Sequence, residues 1–193
     1  MTLLLSSRIF AGNTSRKERM MTLYSGWDLT LLGILSIILF AAWQQDRQDR
    51  MEEMAARSSL HPEVEEMKQE FVEQTSEQGI DVVITQGYRS KEQQNDLYAQ
   101  GRSEEGSIVT NAEGGESYHN YGLAVDFALR KQNGEVTWNT EYDGNNNGTP
   151  DWQEAGDIAK RIGFEWGGDW QQFQDYSHLQ WNPGVRVEEL QHQ

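Results

Sequence analysis

The stretch Ser117-Tyr-His-Asn-Tyr-Gly-Leu-Ala-Val-Asp126 (SYHNYGLAVD) contains the residues that decide the fold and chemistry of this chain. Its histidine, His119, lies in a glycine-containing turn, and Asp126 follows seven residues later on an apolar strand predicted over 123–129. Another histidine, His178, begins or precedes a later predicted strand. Two imidazoles and one carboxylate are a common catalytic zinc set. Taken from the residues alone, a capping carboxylate and two ordinary polar histidines remain the alternative.

The patterns on both sides of this stretch predict an α+β domain with a small, mainly antiparallel sheet and flanking helices. Proline is favoured at the first position of a helix, which suits Pro62. Ser90 and Gln93 have the spacing of a capping box, and Gly163 is typical of a helix C-cap. The predicted elements are helices from Pro62 to about Gln78, from Ser90 to near Gly101 and from Trp152 to Ile162, strands over 80–85, 123–129, 164–166 and 178–181, and a turn at 132–134 leading into Val136 and Trp138.

The composition excludes several classes of protein. The chain has 193 residues, of which 36% are hydrophobic, and this is enough for one ordinary domain with additional segments. The absence of cysteine excludes a disulfide framework, a thiol nucleophile and an iron–sulfur cluster. A net charge of -15 argues against nucleic-acid binding, because phosphates require clustered Lys and Arg. The sequence leaves the oligomeric state open.

The N-terminal region differs in charge from the rest of the chain. Residues 1–50 carry a net charge of +2, whereas residues 51–193 carry -17. The 15-residue apolar run Leu29–Trp43, extended back to Met20, predicts a transmembrane signal anchor over 20–43. The basic flank before it predicts a cytoplasmic tail over 1–19 by the positive-inside rule.

This interpretation makes the chain a single-pass membrane protein with its N-terminus inside. Residues 44–60 are then a polar spacer, and 61–193 form an extracytoplasmic domain. Two alternatives compete for the apolar segment. A cleaved signal peptide lacks a small-x-small cleavage site after it, and a buried core helix does not account for the basic flank.

The pattern S-x-H-x-x-G-x-A-x-D followed by D-x-x-H resembles the zinc metallopeptidases of the D-Ala-D-Ala peptidase group, which cleave peptidoglycan stem peptides. Within that group, Gly167-Gly-Asp-Trp170 and Asp175-Tyr-Ser-His178-Leu-Gln180 are similar to the L-alanyl-D-glutamate endopeptidase branch, which includes phage endolysins. The resemblance covers roughly Gln86 to Trp181, about half of the chain, and its motifs occur in the expected order.

The resemblance implies a role for each matching residue. His119, Asp126 and His178 match the zinc ligands, and Asp175 matches the general base that takes a proton from the attacking water. The carboxypeptidase branches usually have Glu at that position, so Asp175 favours the endopeptidase branch. Arg89 matches an arginine that binds substrate or the developing oxyanion.

Two further residues are expected to contact substrate. Ser117 matches a substrate-contacting position, and Trp170 is expected in the wall of the cleft. The alternatives are a surface arginine at position 89, turn chemistry at Ser117 and a core role for Trp170. Glu165 is the rival base, and it could instead orient a ligand histidine from behind.

Two positions depart from the pattern of the family. Ser177 and Leu179 flank the last histidine, where the family commonly has Pro and Phe. Neither change removes a catalytic atom, but both bear on loop rigidity and on substrate packing.

A second loop has the spacing of a metal site. Residues 143–154 fit D-x-[DN]-x-[DN]-G-x5-E, the EF-hand calcium pattern. Its candidate ligands are Asp143, Asn145, Asn147, Thr149, Asp151 and Glu154. The alternative is an Asn/Gly turn followed by a helix whose first turn carries acidic residues to suit the helix dipole.

The sequence therefore predicts a zinc-dependent peptidoglycan peptidase anchored in the bacterial cytoplasmic membrane, with 61–193 as its zinc peptidase domain. Structural calcium in the 143–154 loop stays open beside the Asn/Gly turn. The expected activity is that of an L-alanyl-D-glutamate endopeptidase. Its rivals are a D-Ala-D-Ala carboxypeptidase on the same scaffold and a non-catalytic cell-wall-binding module that keeps a zinc site.

Overall fold

The computed structural model describes the backbone of residues 16–193 and the side chains of residues 30–193. The chain divides into two compact units, Met1–Arg47 and Gln48–Gln193. Its elements are α1 (Arg16–Ala55), α2 (Pro62–Glu77), β1 (Val82–Gln86), α3 (Lys91–Ala99), β2 (Ala124–Arg130), β3 (Val136–Thr137), α4 (Asp151–Ile162), β4 (Glu165–Trp166), β5 (His178–Gln180) and α5 (Val187–Leu190), with short 3-10 turns at Tyr118–Tyr121 and Gly167–Asp169.

The second unit has the predicted α+β architecture with one antiparallel sheet. The strand order is β1-β2-β5-β4, and β3 also pairs with β2. All of these pairings are antiparallel. The register of β2 and β5 makes Asp126 the direct partner of His178. This register joins two parts of the chain that are 52 residues apart in sequence.

The helices begin and end where local signals predict. Pro62 is the first residue of α2, and the ring of His61 accepts a hydrogen bond from the backbone of Glu63. A complete capping box between Ser90 and Gln93 begins α3, as predicted. Gly163 is the C-cap of α4 at φ 121°, a conformation that residues with a Cβ rarely adopt.

The main core lies between the sheet and two helices, α2 and α4. Phe127 on β2 is fully buried, and its ring is 5.0 Å from Phe71 of α2 and 5.0 Å from Trp152 of α4. Because β2 is the central strand and is buried along most of its length, its backbone is held on both sides. The strand that carries Asp126 is therefore a rigid support for the site.

A second apolar cluster supports the turn that carries His119. It contains Met51, Met54, Tyr121, Leu123, Val185 and Leu190. Gly122 follows the 3-10 turn at φ 68°, and a Cβ at this position would collide with the backbone oxygen of Ser59. Position 122 therefore requires glycine for both its conformation and its close packing. Residues 51 and 54 belong to the compact unit, and the predicted boundaries of spacer 44–60 and domain 61–193 stay predictions.

One part of the fold prediction is wrong. Within residues 16–193, no helix is long and apolar enough to cross a membrane. The finding overturns the transmembrane signal anchor predicted over 20–43, and with it the membrane attachment and the placement at the bacterial cytoplasmic membrane. The apolar run of 15 residues is about 22 Å long at 1.5 Å per residue, short of a hydrocarbon core of about 30 Å.

The predicted extension of this run back to Met20 adds further apolar residues, but Thr22, Ser25 and Asp28 interrupt them. The extended segment is therefore not continuously apolar. Of the predicted basic tail over 1–19, residues 1–15 lie outside the described residues.

Replacing Tyr121 with phenylalanine is expected to lower the free energy of unfolding by about 1–2 kcal/mol. The side chain is fully buried, and its hydroxyl donates to the carbonyl of Gly115 at 2.8 Å. Burial raises the pKa of Tyr121 to about 12, so this donor keeps its proton. The measurement is urea denaturation of the full chain.

Tyr118→Phe is the matched control, because its hydroxyl lies 3.5 Å from the carbonyl of Val185, too far for a strong bond. Equal stability of the Tyr121 variant and the wild type would contradict the prediction.

Candidate active site

Three predicted ligand residues lie together at one end of the sheet. His119 comes from the 3-10 turn, Asp126 from β2 and His178 from β5. One ligand atom from each lies within 4.8 Å of the others, and they form the one such group among the side chains of residues 30–193. These donors could hold a metal ion.

The ring of His119 is oriented by the backbone. Its Nδ1 lies 2.7 Å from the carbonyl oxygen of Gly87, and its Nε2 lies 3.2 Å from Oδ1 of Asp126. A carbonyl oxygen only accepts hydrogen bonds, so Nδ1 carries a proton and donates it to Gly87. In the neutral ring, Nε2 then directs its lone pair towards Asp126. His119 is only 2% exposed, so water competes little with this arrangement.

The carboxylate of Asp126 is shared between the two histidines and an arginine. Its Oδ1 lies 3.2 Å from Nε2 of His119 and 3.2 Å from Nδ1 of His178, whereas its Oδ2 lies 3.6 Å from Nη2 of Arg89. Burial alone acts to raise the pKa of Asp126, but when both rings are protonated, the hydrogen bonds and positive charge of the two histidines outweigh burial and hold the pKa well below its usual range. Asp126 is therefore ionised.

Arg89 is anchored by a buried glutamine that no sequence pattern singles out. Its Nη1 donates to Oε1 of Gln94 at 2.9 Å. Gln94 is fully buried, and its Nε2 donates to the carbonyl of Ala112 at 2.8 Å and to the hydroxyl of Thr110 at 3.3 Å. Burial lowers the pKa of Arg89, while the charges of Asp126 and Asp175 oppose this effect. The guanidinium stays charged because its ordinary pKa is far above neutral pH.

Asp175 follows the Gly167–Asp169 turn and lies at the same end of the sheet. Its backbone N–H donates to the carbonyl of Gly167 at 3.0 Å, and a Cβ at position 167 would collide with the backbone oxygen of Asp175. Ser177 donates to Oδ1 of Asp175 through its hydroxyl at 2.7 Å and its N–H at 3.2 Å. The serine that departs from the family pattern therefore orients this carboxylate.

A cavity of about 470 Å³ connects these groups. The metal-ligand set lies in its wall together with Arg89 and Asp175, and so do the predicted substrate residues Ser117 and Trp170. Ser117 is the N-cap of the 3-10 turn, and its hydroxyl accepts a hydrogen bond from the N–H of His119. This contact is the turn interaction given above as the alternative role of Ser117. Trp170 is 36% exposed, and its ring centroid lies 5.2 Å from that of His178.

Glu165, the rival base, lies behind His178. Gln180 is the connecting side chain: its Oε1 lies 3.1 Å from Nε2 of His178, and its Nε2 donates to Oε2 of Glu165 at 2.8 Å. Glu165 does not line the cavity. This position agrees with the alternative that Glu165 acts on a ligand histidine from behind.

The structure does not support the predicted calcium site. Among the described side chains, Asp143, Asp151 and Glu154 do not form a group that could hold a metal. Glu154 instead accepts hydrogen bonds from the side-chain amide groups of Asn145 at 3.1 Å and Asn147 at 2.7 Å. Thr149, the sixth candidate, donates its backbone N–H to the amide oxygen of Asn147 at 2.8 Å.

The alternative of an Asn/Gly turn followed by a helix describes this loop. Asp151 and Glu154 lie in the first turn of α4, where acidic residues suit the helix dipole. Asp151 also accepts a hydrogen bond from the N–H of Gly144.

Sequence reasoning missed three groups that orient the site: the carbonyl of Gly87 and the side chains of Gln94 and Gln180. The carbonyl has no sequence signal. Gln180 had one, because it follows His178 by two positions on a strand and must point to the same face. Gln94 is a polar residue in a short helix, and its spacing alone does not show that it is buried.

The curated proteins with similar sequences include two L-alanyl-D-glutamate peptidases. The chain is 54% identical over 136 residues to the peptidoglycan L-alanyl-D-glutamate endopeptidase CwlK of Bacillus subtilis (strain 168), and the match covers 70% of this chain and 81% of that relative. It is 36% identical over 104 residues to the L-alanyl-D-glutamate peptidase of a Listeria phage, covering 54% of this chain and 31% of that protein.

A family model described as D-alanyl-D-alanine carboxypeptidase matches residues 110–181. Among solved structures, the L-Ala D-Glu endopeptidase ChiX of Serratia marcescens is similar with a TM-score of 0.47 and 21% identity, covering 64% of this chain and 81% of that one.

Proposed function

The chain belongs to the L-alanyl-D-glutamate endopeptidase branch of the D-Ala-D-Ala peptidase group, and on this premise we propose that it is a zinc-dependent peptidase that hydrolyses the L-alanyl-D-glutamate bond of peptidoglycan stem peptides. The observation that carries the proposal is the 54% identity to a peptidoglycan endopeptidase over 81% of that relative's length. Residues 61–193 are proposed as the peptidase domain.

The donor set at the end of the sheet fits zinc. Nε2 of His119 and Oδ1 of Asp126 are both acceptors, and at 3.2 Å they repel one another unless a cation lies between them. Ligands about 2.0–2.1 Å from a tetrahedral zinc ion lie about 3.4 Å apart, close to the separations of Asp126 from both histidines. His119, Asp126 and His178 are the proposed ligands, and three protein ligands leave the fourth position for water.

Two groups of the chain provide the remaining chemistry. Bound zinc would supply a Lewis acid that lowers the pKa of water to about 7. The Asp175 carboxylate, oriented by Ser177, takes a proton from the attacking water and then gives it to the leaving amine of D-glutamate. The Arg89 guanidinium faces the cavity and stabilises the negative charge that develops on the carbonyl oxygen.

Substrate binding is assigned to the same cavity. Arg89 offers planar N–H donors that suit a carboxylate of the stem peptide, and Trp170 offers an aromatic face beside His178. Ser117 lies in the cavity wall with its hydroxyl close to the His119 turn. These three residues are proposed to hold the stem peptide over the ligand set.

Digestion of purified peptidoglycan by the zinc-loaded full chain is expected to release fragments that begin with D-glutamate. Hydrolysis of the L-alanyl-D-glutamate bond separates the remainder of the stem peptide from the sugar-linked L-alanine. Mass spectrometry of the soluble fragments identifies the new termini. Excess chelator is expected to stop the reaction, and added zinc is expected to restore it.

Two outcomes would contradict the proposal. Release of free D-alanine as the sole product would favour the D-Ala-D-Ala carboxypeptidase alternative, which is the description of the matching family model. Hydrolysis that continues at full rate in excess chelator would exclude the metal-dependent mechanism.

A further inference from the structure

A chain of three side chains connects the ligand set to the edge strand of the sheet. Glu165 on β4 and Gln180 on β5 are direct partners in the antiparallel register. His178 precedes Gln180 by two residues on the same strand, so both side chains point to the same face. Nε2 of Gln180 donates to Glu165 at 2.8 Å, and Oε1 of Gln180 lies 3.1 Å from Nε2 of His178.

The direction of each hydrogen bond in this series of three side chains follows from the carboxylate of Glu165. An ionised carboxylate only accepts hydrogen bonds, so Gln180 must present its NH2 group to Glu165. The carbonyl oxygen of that amide then faces His178 and also only accepts. Nε2 of His178 must therefore carry the proton, which leaves the lone pair of the neutral ring on Nδ1. Nδ1 is the atom that lies 3.2 Å from Oδ1 of Asp126.

We propose that Glu165 and Gln180 are positioning residues that hold His178 in the tautomer with its Nδ1 lone pair directed at the metal. The proposal rests on the proposed function, because it concerns the zinc ligands assigned there. Gln180 is 9% exposed and His178 is 8% exposed, so bulk water does not replace the amide as the partner of the ring.

The two histidines differ in how their tautomers are held. The partner of His119 is the Gly87 carbonyl, a backbone group that no substitution removes. The partner of His178 is a side-chain amide, which can rotate to present either its oxygen or its NH2 group. Glu165 decides that orientation, so the metal affinity of His178 depends on the residue at position 165. Asn182 donates to the other oxygen of Glu165 at 3.4 Å and supports its placement.

A matched pair of substitutions at position 165 tests the inference. Glu165→Gln keeps an oxygen that can accept from Gln180, so zinc affinity is expected to stay within about threefold of wild type. Glu165→Lys offers donors alone and no longer holds the amide, so zinc affinity is expected to fall about 10–100-fold. Gln180→Leu removes the amide, and the zinc affinity of this variant is expected to fall by a similar factor.

The measurement is the zinc dissociation constant of the full chain, obtained by competition with a chromophoric chelator. Glu135→Lys is the control for charge reversal, since Glu135 is exposed and lies in the turn between β2 and β3. The urea midpoint of each variant reports its fold. Glu165 is exposed, so its variants keep the test valid if the buried Gln180 variant fails to fold.

The outcomes separate this inference from the proposed function. Weaker binding by Glu165→Lys, with near-wild-type binding by Glu165→Gln and Glu135→Lys, supports it. Wild-type affinity in Glu165→Lys overturns this inference alone, and so does an equal loss in Glu165→Gln and Glu165→Lys. A wild-type chain that binds no zinc overturns the proposed function and this inference with it.

Discussion

Replacing His178 with alanine should abolish stoichiometric zinc binding and reduce peptidoglycan hydrolysis to the background rate. The substitution removes one of three donors, and Asp126 and His119 alone leave a two-ligand site. Gln180, which lies behind the ring, does not replace the lost nitrogen, because its side-chain amide is hydrogen-bonded to Glu165. The measurement is zinc content per chain after gel filtration, together with muropeptide release.

His192→Ala is the matched control. This residue is exposed near the C-terminus, so both zinc content and hydrolysis should match those of the wild type. One zinc ion per chain in the His178 variant would show that the ligands have been assigned incorrectly. Activity without stoichiometric zinc in that variant would contradict the metal-dependent function itself.

Replacing Asp175 with asparagine should lower kcat by about 10²–10⁴-fold while zinc content stays at one per chain. Asparagine keeps the size of the side chain and an oxygen that can accept from Ser177, but it does not take a proton from water. KM should change much less than kcat, because the substitution removes proton transfer rather than a binding contact. Steady-state kinetics on a defined muropeptide measures both values.

Asp169→Asn is a suitable control for Asp175, because Asp169 is exposed nearby and pairs with Lys160 at 2.9 Å. Loss of a surface ion pair costs at most about 1 kcal/mol, so the control should keep its rate. An unchanged kcat in Asp175→Asn would require another base. Loss of zinc in that variant would instead assign the carboxylate to the metal site.

Most helices and strands were predictable because their signals are local. Pro62 begins α2, the Ser90–Gln93 capping box begins α3, and Gly163 ends α4, each as the sequence indicates. Such signals depend on backbone groups within one helical turn, so they are present before any tertiary contact forms. The two 3-10 turns and α5 were missed because each spans four residues or fewer.

The transmembrane anchor and the calcium site were predicted from composition and residue spacing, which do not specify three-dimensional geometry. The apolar run Leu29–Trp43 has the composition of a membrane segment but not its length. The 143–154 loop has oxygen-bearing residues at calcium spacing, yet in the fold its Asn amide groups donate to Glu154. Spacing determines which residues are present, whereas side-chain rotation determines which atoms face inward.

The sequence by itself determined the α+β class, the order of the motifs and the identity of the candidate ligands. Residue identity and order are properties of the covalent chain and do not depend on how it folds. Only the tertiary structure decided how these residues meet. Antiparallel pairing of β2 with β5 places Asp126 opposite His178, and pairing of β4 with β5 places Glu165 opposite Gln180. Strand register depends on burial of the whole sheet, and a shift of one residue would turn every one of these side chains to the other face.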